Sequence, residues 1–257
     1  MKTRLFFSVF LLCALIVTLF ATPLSAAAET EAKTPPDPGI SSKAALLVDA
    51  NTGNVVYAKN EHEEMYPASL TKIMTALLVL EAVDNGQLSL TQQLTASHSA
   101  MTTGLDEDGS TAGILEGETM AVEQFLYCML VVSANEACNV LAEAVAGDVD
   151  TFVEKMNAKA QELGCENTHF VNPTGLHDPQ HYTSAWDLYL ITKEAMTHSD
   201  FMRFCDTGSV TIPATNLSEA RTLHTTNYLI DGWRSRGYIN KDAHGVKTLD
   251  EIRGCAR

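Results

Sequence analysis

The segment Tyr66-Pro67-Ala68-Ser69-Leu70-Thr71-Lys72-Ile73-Met74-Thr75-Ala76-Leu77 reads as the beginning of a buried helix, and the remainder of the chain can be placed around it. Pro67 is expected to hold Ala68 extended, and Ile73, Leu77, Leu80 and Val83 then recur at helical spacing up to Asp84-Asn85-Gly86. A helix is therefore expected to start close to Ser69. Its hydroxyl would lie among backbone N–H groups without intrahelical partners, at the positive end of the helix dipole, where a developing alkoxide is stabilised. Lys72, three residues on, reaches back towards the same hydroxyl. A serine is nucleophilic near neutral pH only beside a base, and a desolvated lysine amine can be that base.

On its own the spacing proves little. The 15 Ser and 10 Lys of the chain, mixed at random over 257 positions, give about 0.6 Ser-x-x-Lys pairs. For an isolated match, an ordinary helix start followed by a solvated lysine is by far the commoner explanation, so the rest of the chain has to decide.

The chain opens with Lys2 and Arg4, runs apolar from Leu5 to Phe20 and reaches small residues at Ser25-Ala26-Ala27-Ala28. This pattern is that of a secretory signal peptide over residues 1–28, cleaved between Ala26 and Ala28, with an uncleaved anchor as the competing reading. The protein is accordingly expected to be exported across the cytoplasmic membrane, to the cell envelope or beyond. Loss of residues 1–28 leaves 15 basic against 32 acidic residues, a net charge of −17, so nucleic acid is not an expected partner. Residues 29–43, with Pro35, Pro36 and Pro38 among charges, read as a spacer, and 44–257 suit one large domain or two closely joined subdomains. Cys128, Cys138, Cys165, Cys205 and Cys255 are odd in number and lack paired spacing, which argues for free thiols and against a disulfide framework or zinc site.

Ala45-Leu46-Leu47-Val48, a turn at Asn51-Thr52-Gly53-Asn54 and Val55-Val56-Tyr57-Ala58 form a β-hairpin pattern ahead of the Ser69 helix. Leu88–Thr95 suits a short strand, and Gly104–Ser110 is an acidic loop whose glycine comes too early for an EF-hand. Ala121–Val132 and Glu136–Ala146 are apolar helices joined by Ser133-Ala134-Asn135, whose polar side chains are expected at a cleft. Thr151 with Glu154 makes a capping-box pattern for a helix ending at Gly164, and Ser184 with Asp187 caps another reaching about His198. His177 and His181 are four apart, but Pro179 between them spoils a helical metal pair, so a loop pair without a ligand is preferred. Strand character returns at Ser209–Pro213, and strands at both ends of such a chain are expected to share one sheet around a helical insertion.

With Ser69-Leu70-Thr71-Lys72, Ser133-Ala134-Asn135 and Lys247-Thr248-Leu249 in this order, the chain resembles the penicillin-binding serine peptidases, and in particular the low-molecular-weight D-alanyl-D-alanine carboxypeptidases. The flanks agree as well: Leu47–Gly53 before the helix, Pro67-Ala68 ahead of the serine, Val131-Val132 before the second motif and His244-Gly245-Val246 before the third. The resemblance implies an α+β fold of the β-lactamase/D,D-peptidase kind, a mainly antiparallel sheet flanked by helices beside an all-helical subdomain. It also implies acyl transfer on peptidoglycan stem peptides ending in D-Ala-D-Ala, with β-lactams as covalent inhibitors and no cofactor or metal. Ser69 would be the nucleophile and Lys72 its base, Ser133 and Asn135 would serve the leaving amine and the substrate amide, and Lys247 and Thr248 would hold the terminal carboxylate.

The third motif departs from the family pattern, because Leu249 stands where a glycine lets an edge strand approach substrate. The sequence after Thr248 does not read as a strand, so the last sheet strands, the family's β-rich second domain and its amphipathic C-terminal membrane anchor are expected to be missing, and activity to be weak. Two other functions share the same motifs: a serine β-lactamase, which needs a further positioned carboxylate that no segment clearly supplies, and a non-catalytic envelope protein that binds cell-wall peptide. A Ser-His-Asp hydrolase is disfavoured, since no Gly-x-Ser-x-Gly elbow occurs.

Overall fold

The structure, a computed structural model, describes residues 39–230, 240 and 242–248. The expected leader, most of the spacer, Leu249 and Cys255 lie outside these residues.

Strands β1 (Ala45–Val48) and β2 (Val55–Lys59) pair antiparallel as the expected hairpin, with Ala45 opposite Lys59. Asp49 organises the turn: its carboxylate accepts from the backbone N–H of Asn51 and Thr52 at 2.9 and 3.2 Å. A 3-10 turn over Ala68–Thr71 then runs directly into α1 (Lys72–Asp84). Ala68 is not extended, contrary to the sequence-based expectation, but has φ +46. The reason is that proline constrains its own φ and the residue before it, here Tyr66, and leaves the residue after it free.

Strand β3 (Gln93–Thr95), shorter than expected, pairs antiparallel with β4 (Thr119–Ala121), and α2 (His98–Thr102) lies between them in sequence. Next come α3 (Val122–Val131), α4 (Asn135–Ala146), α5 (Val149–Glu162), α6 (Ala185–Ala195) and α7 (Phe201–Cys205). The start of α5 is earlier than the Thr151 pattern suggests. Asp148 is the cap, accepting from Thr151 N at 2.7 Å and Thr151 Oγ1 at 2.9 Å, which puts Thr151 inside the first turn. Ser184 does cap α6, taking Asp187 N at 3.1 Å, and hydrogen-bonded turns carry the chain on from Ala195 to His198.

Every residue of α1 from Lys72 to Leu80 is buried. A helix buried on all faces is the centre of a domain, and α1 packs against α3, α4, α5, α6 and α7. Each of its large apolar side chains, Ile73, Met74, Leu77, Leu78 and Leu80, contributes about 1.5–3 kcal/mol by burial, so the core sets its position more firmly than any cap. None of the helices among the described residues is long and apolar enough to cross a membrane.

The expected union of N- and C-terminal strands in one sheet is not found among the described residues. β5 (Ser209–Ile212) pairs with β6 (Arg221–His224) eight residues further on, giving three separate two-stranded antiparallel sheets. Residues 242–248 carry no strand. They are held instead by Asp206, whose carboxylate binds His244 Nδ1 and Gly245 N, each at 2.9 Å. Val246 and Lys247 nevertheless face β1 across an apolar cavity of ≈ 640 Å³, which Leu46, Leu47, Leu70 and Ile73 also line.

Candidate active site

Lys72 is the first residue of α1, and its side chain is completely buried. Its Nζ lies 3.3 Å from Ser69 Oγ, 2.8 Å from Asn135 Oδ1 and 2.7 Å from the carbonyl oxygen of Thr174. Ser133 Oγ donates to Ser69 Oγ at 2.9 Å. The first two motifs, more than sixty residues apart in sequence, thus meet around one hydroxyl. Ser69 lies inside the 3-10 turn rather than at its cap, which is Pro67, and its hydroxyl meets Lys72 and Ser133.

Backbone strain concentrates here. Ser133 has φ +65 and Ala68 φ +46, conformations that cost a residue with a side chain about 1–2 kcal/mol each. The left-handed turn at Ser133 swings the chain from the end of α3 into Asn135, the first residue of α4. Asn135 donates its backbone N–H to Ser110 O at 2.8 Å, and the buried carboxylate of Glu136 accepts from Thr111 Oγ1 and Ala112 N at 2.7 and 2.8 Å. The loop 104–110 is therefore solvated at its acidic tip, as expected, but its end is fastened to the site.

The opposite wall is the Asn172-Pro173-Thr174-Gly175 turn. Asn172 Oδ1 accepts from Thr174 N at 3.2 Å, Thr174 Oγ1 at 3.0 Å and Gly175 N at 2.7 Å, which makes the turn rigid through its own side chain. It offers the Thr174 carbonyl to Lys72 and the Pro173 carbonyl to Thr75 Oγ1 at 2.7 Å. His181, expected to belong to a loop pair without a ligand, is 2% exposed and lies 2.8 Å from Thr71 Oγ1 through Nε2. Burial pushes its imidazole down to about 4, with Asp178 opposing and His169 and His177 reinforcing the shift. Neither the carbonyls nor His181 could be assigned from the sequence. Carbonyls carry no residue signature, and only the Asx-turn sequence Asn-Pro-Thr-Gly marks this place.

Lys247 and Thr248 are brought near the same region by a different route. Thr248 Oγ1 hydrogen-bonds Thr226 Oγ1, and Thr226 N donates to Val131 O at 3.2 Å, two residues before Ser133. Lys247 Nζ donates to Thr248 O at 3.1 Å. Leu249, the residue that breaks the family pattern, is outside the described residues.

Cys138, one turn beyond Asn135, is buried, and burial pushes its thiol up to about 11 against the opposing field of Lys72. The four described cysteines are unpaired. Glu81, Glu194 and His198 could together reach one metal ion. The Lys159 ammonium sits 2.9 Å from Glu81 and Asp84 binds His198 Nδ1, so two of the three already have charged protein partners.

Known proteins with this architecture are penicillin-binding proteins. Penicillin binding protein 6B from Escherichia coli superposes with a TM-score of 0.71 at 30% identity, over 77% of this chain and 62% of that one. The fold is accordingly the β-lactamase-like α+β fold of the penicillin-binding D,D-peptidases. The chain belongs to the D-alanyl-D-alanine carboxypeptidase family, which residues 29–241 match. The D-alanyl-D-alanine carboxypeptidase DacF of Bacillus subtilis is 38% identical over 77% of this chain and 49% of its own length. The D-alanyl-D-alanine endopeptidase of Pseudomonas aeruginosa is 30% identical over 89% of this chain and 75% of its own. The chain spans about half the length of the carboxypeptidase relatives it matches.

Proposed function

We propose that the protein is a serine-type D-alanyl-D-alanine carboxypeptidase that removes the terminal D-alanine from peptidoglycan stem peptides. The observation that carries this reading is the contact of Ser69 Oγ with both Lys72 Nζ and Ser133 Oγ. A neutral amine has two hydrogens and one lone pair. Asn135 Oδ1 and Thr174 O can accept both hydrogens, which turns the lone pair of Lys72 towards Ser69. Removal from water favours that uncharged form.

Ser69 Oγ then attacks the carbonyl carbon of the penultimate D-alanine as its proton passes to Lys72. Collapse of the tetrahedral adduct breaks the bond to the terminal D-alanine, whose amine leaves with a proton relayed through Ser133. Water attacks the acyl-enzyme, giving up a proton to the Lys72 side, and frees Ser69 and the shortened peptide. Asn135 holds the substrate amide, and Lys247 with Thr248 receives the terminal carboxylate. On a chain of net negative charge, a local cation such as Lys247 counts for more in binding an anionic peptide. Residues 1–28 serve as a signal peptide ahead of the 29–43 spacer, and the enzyme works in the cell envelope, where β-lactams acylate the same serine.

The test is intact mass after incubation with benzylpenicillin, followed by peptide mapping. One adduct between Tyr66 and Met74, lost in Ser69→Ala, supports the assignment. Folded protein without an adduct points to the non-catalytic reading, and rapid nitrocefin turnover to a β-lactamase. Release of D-alanine from a D-Ala-D-Ala peptide separates a carboxypeptidase from an endopeptidase that cuts only cross-linked dimers.

A further inference from the structure

We infer that His181 is a positioning residue for the Ser69–Lys72 pair, joining the turn that carries the nucleophile to the loop that supplies the Thr174 carbonyl. The inference rests on the proposed acyl-transfer function for its consequence, but on geometry for its content. His181 is 2% exposed and uses both ring nitrogens. Nδ1 accepts from Val171 N at 3.2 Å, so it carries a lone pair, and the ring proton of the neutral imidazole is on Nε2. Nε2–H therefore donates to Thr71 Oγ1 at 2.8 Å.

Thr71 is completely buried and stands between Ser69 and Lys72 in the chain. Val171 begins the loop that leads through Asn172 and Pro173 to Thr174. A single imidazole thus ties the start of that loop to the centre of the Ser-x-x-Lys motif. The His181 backbone is itself fixed by its N–H to Asp178 O at 2.9 Å, and Phe170 packs edge-on against the ring at a centroid distance of 5.6 Å. The groups that set the charge of the ring are Asp178, His169 and His177, and burial dominates them, which keeps the imidazole neutral through the range in which an envelope enzyme works. A protonated ring would lose the Val171 bond, because Nδ1–H cannot accept.

The consequence concerns Lys72. Its amine is oriented by two acceptors, and one of them, Thr174 O, is on the His181-anchored loop. Loosening the loop leaves Ser69 and Ser133 intact but removes one acceptor that orients the base.

The experiment compares wild type, His181→Leu and His181→Gln, each well below its melting temperature. The readout is the second-order rate of acylation by benzylpenicillin across pH. His181→Leu should lose about 10-fold or more, and its acid limb should move to lower pH, since a carbonyl acceptor that favours the ammonium form is weakened. His181→Gln, which keeps a donor for Thr71, should recover most of the rate. A merely structural histidine predicts a lower melting temperature with unchanged rate and acid limb in the folded Leu variant, and that result overturns the inference. Ring 15N NMR of the wild-type protein decides independently of activity: the inference requires a neutral Nε2–H tautomer from pH 8 to 5. An Nδ1–H tautomer, or titration above pH 6, refutes it even if acylation occurs. Absence of acylation in wild type with the expected tautomer refutes the proposed function while leaving the clamp in place.

Discussion

Gly175 approaches Ala68 so closely that a β-carbon on it would lie 1.8 Å from the Ala68 carbonyl oxygen and 2.4 Å from the carbonyl carbon. Gly175 also has φ +88, and Thr71 Oγ1 would be 2.9 Å from the added atom. Only glycine meets both demands, one of space and one of conformation. The left-handed turn at Ala68 and the glycine opposite it thus form one contact, which seats the nucleophile's turn against the loop that holds Lys72. Gly175→Ala should lower the melting temperature by on the order of 10 °C and abolish acylation, because backbone rather than a flexible side chain must give way. Differential scanning calorimetry checks the first part. A variant that melts within about 2 °C of wild type would show that the two segments separate easily.

Lys72→Arg should reduce the acylation rate by about two or more orders of magnitude. Arginine cannot give up its proton at working pH, although its hydrogens could still satisfy Asn135 Oδ1 and Thr174 O. Stopped-flow acylation with a chromogenic β-lactam measures the loss directly. Near wild-type rates would remove Lys72 from the role of base and leave it as a buried structural cation.

Much of this site could be read from the sequence, and what could not has a common cause. The hairpin, the buried helix after Ser69, the Ser184 cap and the meeting of Ser133 and Asn135 with Lys72 all follow from local pattern or motif chemistry. Ala68, His181 and Thr174 were not legible, since their conformation or partners come from segments about a hundred residues away. The early start of α5 has a local explanation: Asp148 outcompetes Thr151 as a cap because its carboxylate reaches both the Thr151 N–H and hydroxyl. Lys247 and Thr248 occupy a middle position. Their motif predicts a strand, whereas in the structure Thr248 bonds the Thr226 hydroxyl and the preceding His244 and Gly245 are held by Asp206.

The four thiols among the described residues should be chemically silent in the native protein. Burial pushes Cys128, Cys165 and Cys205 up to about 12 and Cys138 up to about 11, so the reactive thiolate is scarce at each. Iodoacetamide at pH 8 should leave all four unmodified in folded protein and alkylate all four in urea, as peptide mapping would show. Fast native modification of Cys138 would mean that the wall behind Lys72 opens to solvent.

The ion pair of Glu118 with Arg221 should make stability fall as the solution is acidified. Glu118 is fully buried, and its carboxylate receives Arg221 Nη2 at 2.7 Å, Leu115 N at 2.9 Å and Thr215 Oγ1 at 2.9 Å. Burial alone would raise its pKa, but the hydrogen bonds from Leu115, Arg221 and Thr215 and the charge of Arg221 outweigh it, so the group is held below its ordinary 4.5. A depressed carboxylate stabilises the fold above its unfolded pKa, and that contribution is lost as pH falls through the folded value. Arg221→Met leaves a buried carboxylate with only neutral donors, and should cost on the order of 3 kcal/mol at pH 7. The cost should shrink towards pH 4, where the variant can protonate Glu118 and relieve the unpaired charge. Urea unfolding of both proteins at pH 7 and pH 4 measures the two differences. Equal destabilisation at both pH values would mean that Arg221 acts through its contacts with Gly113 O and Met120 Sδ, at 3.2 Å each, rather than through its charge.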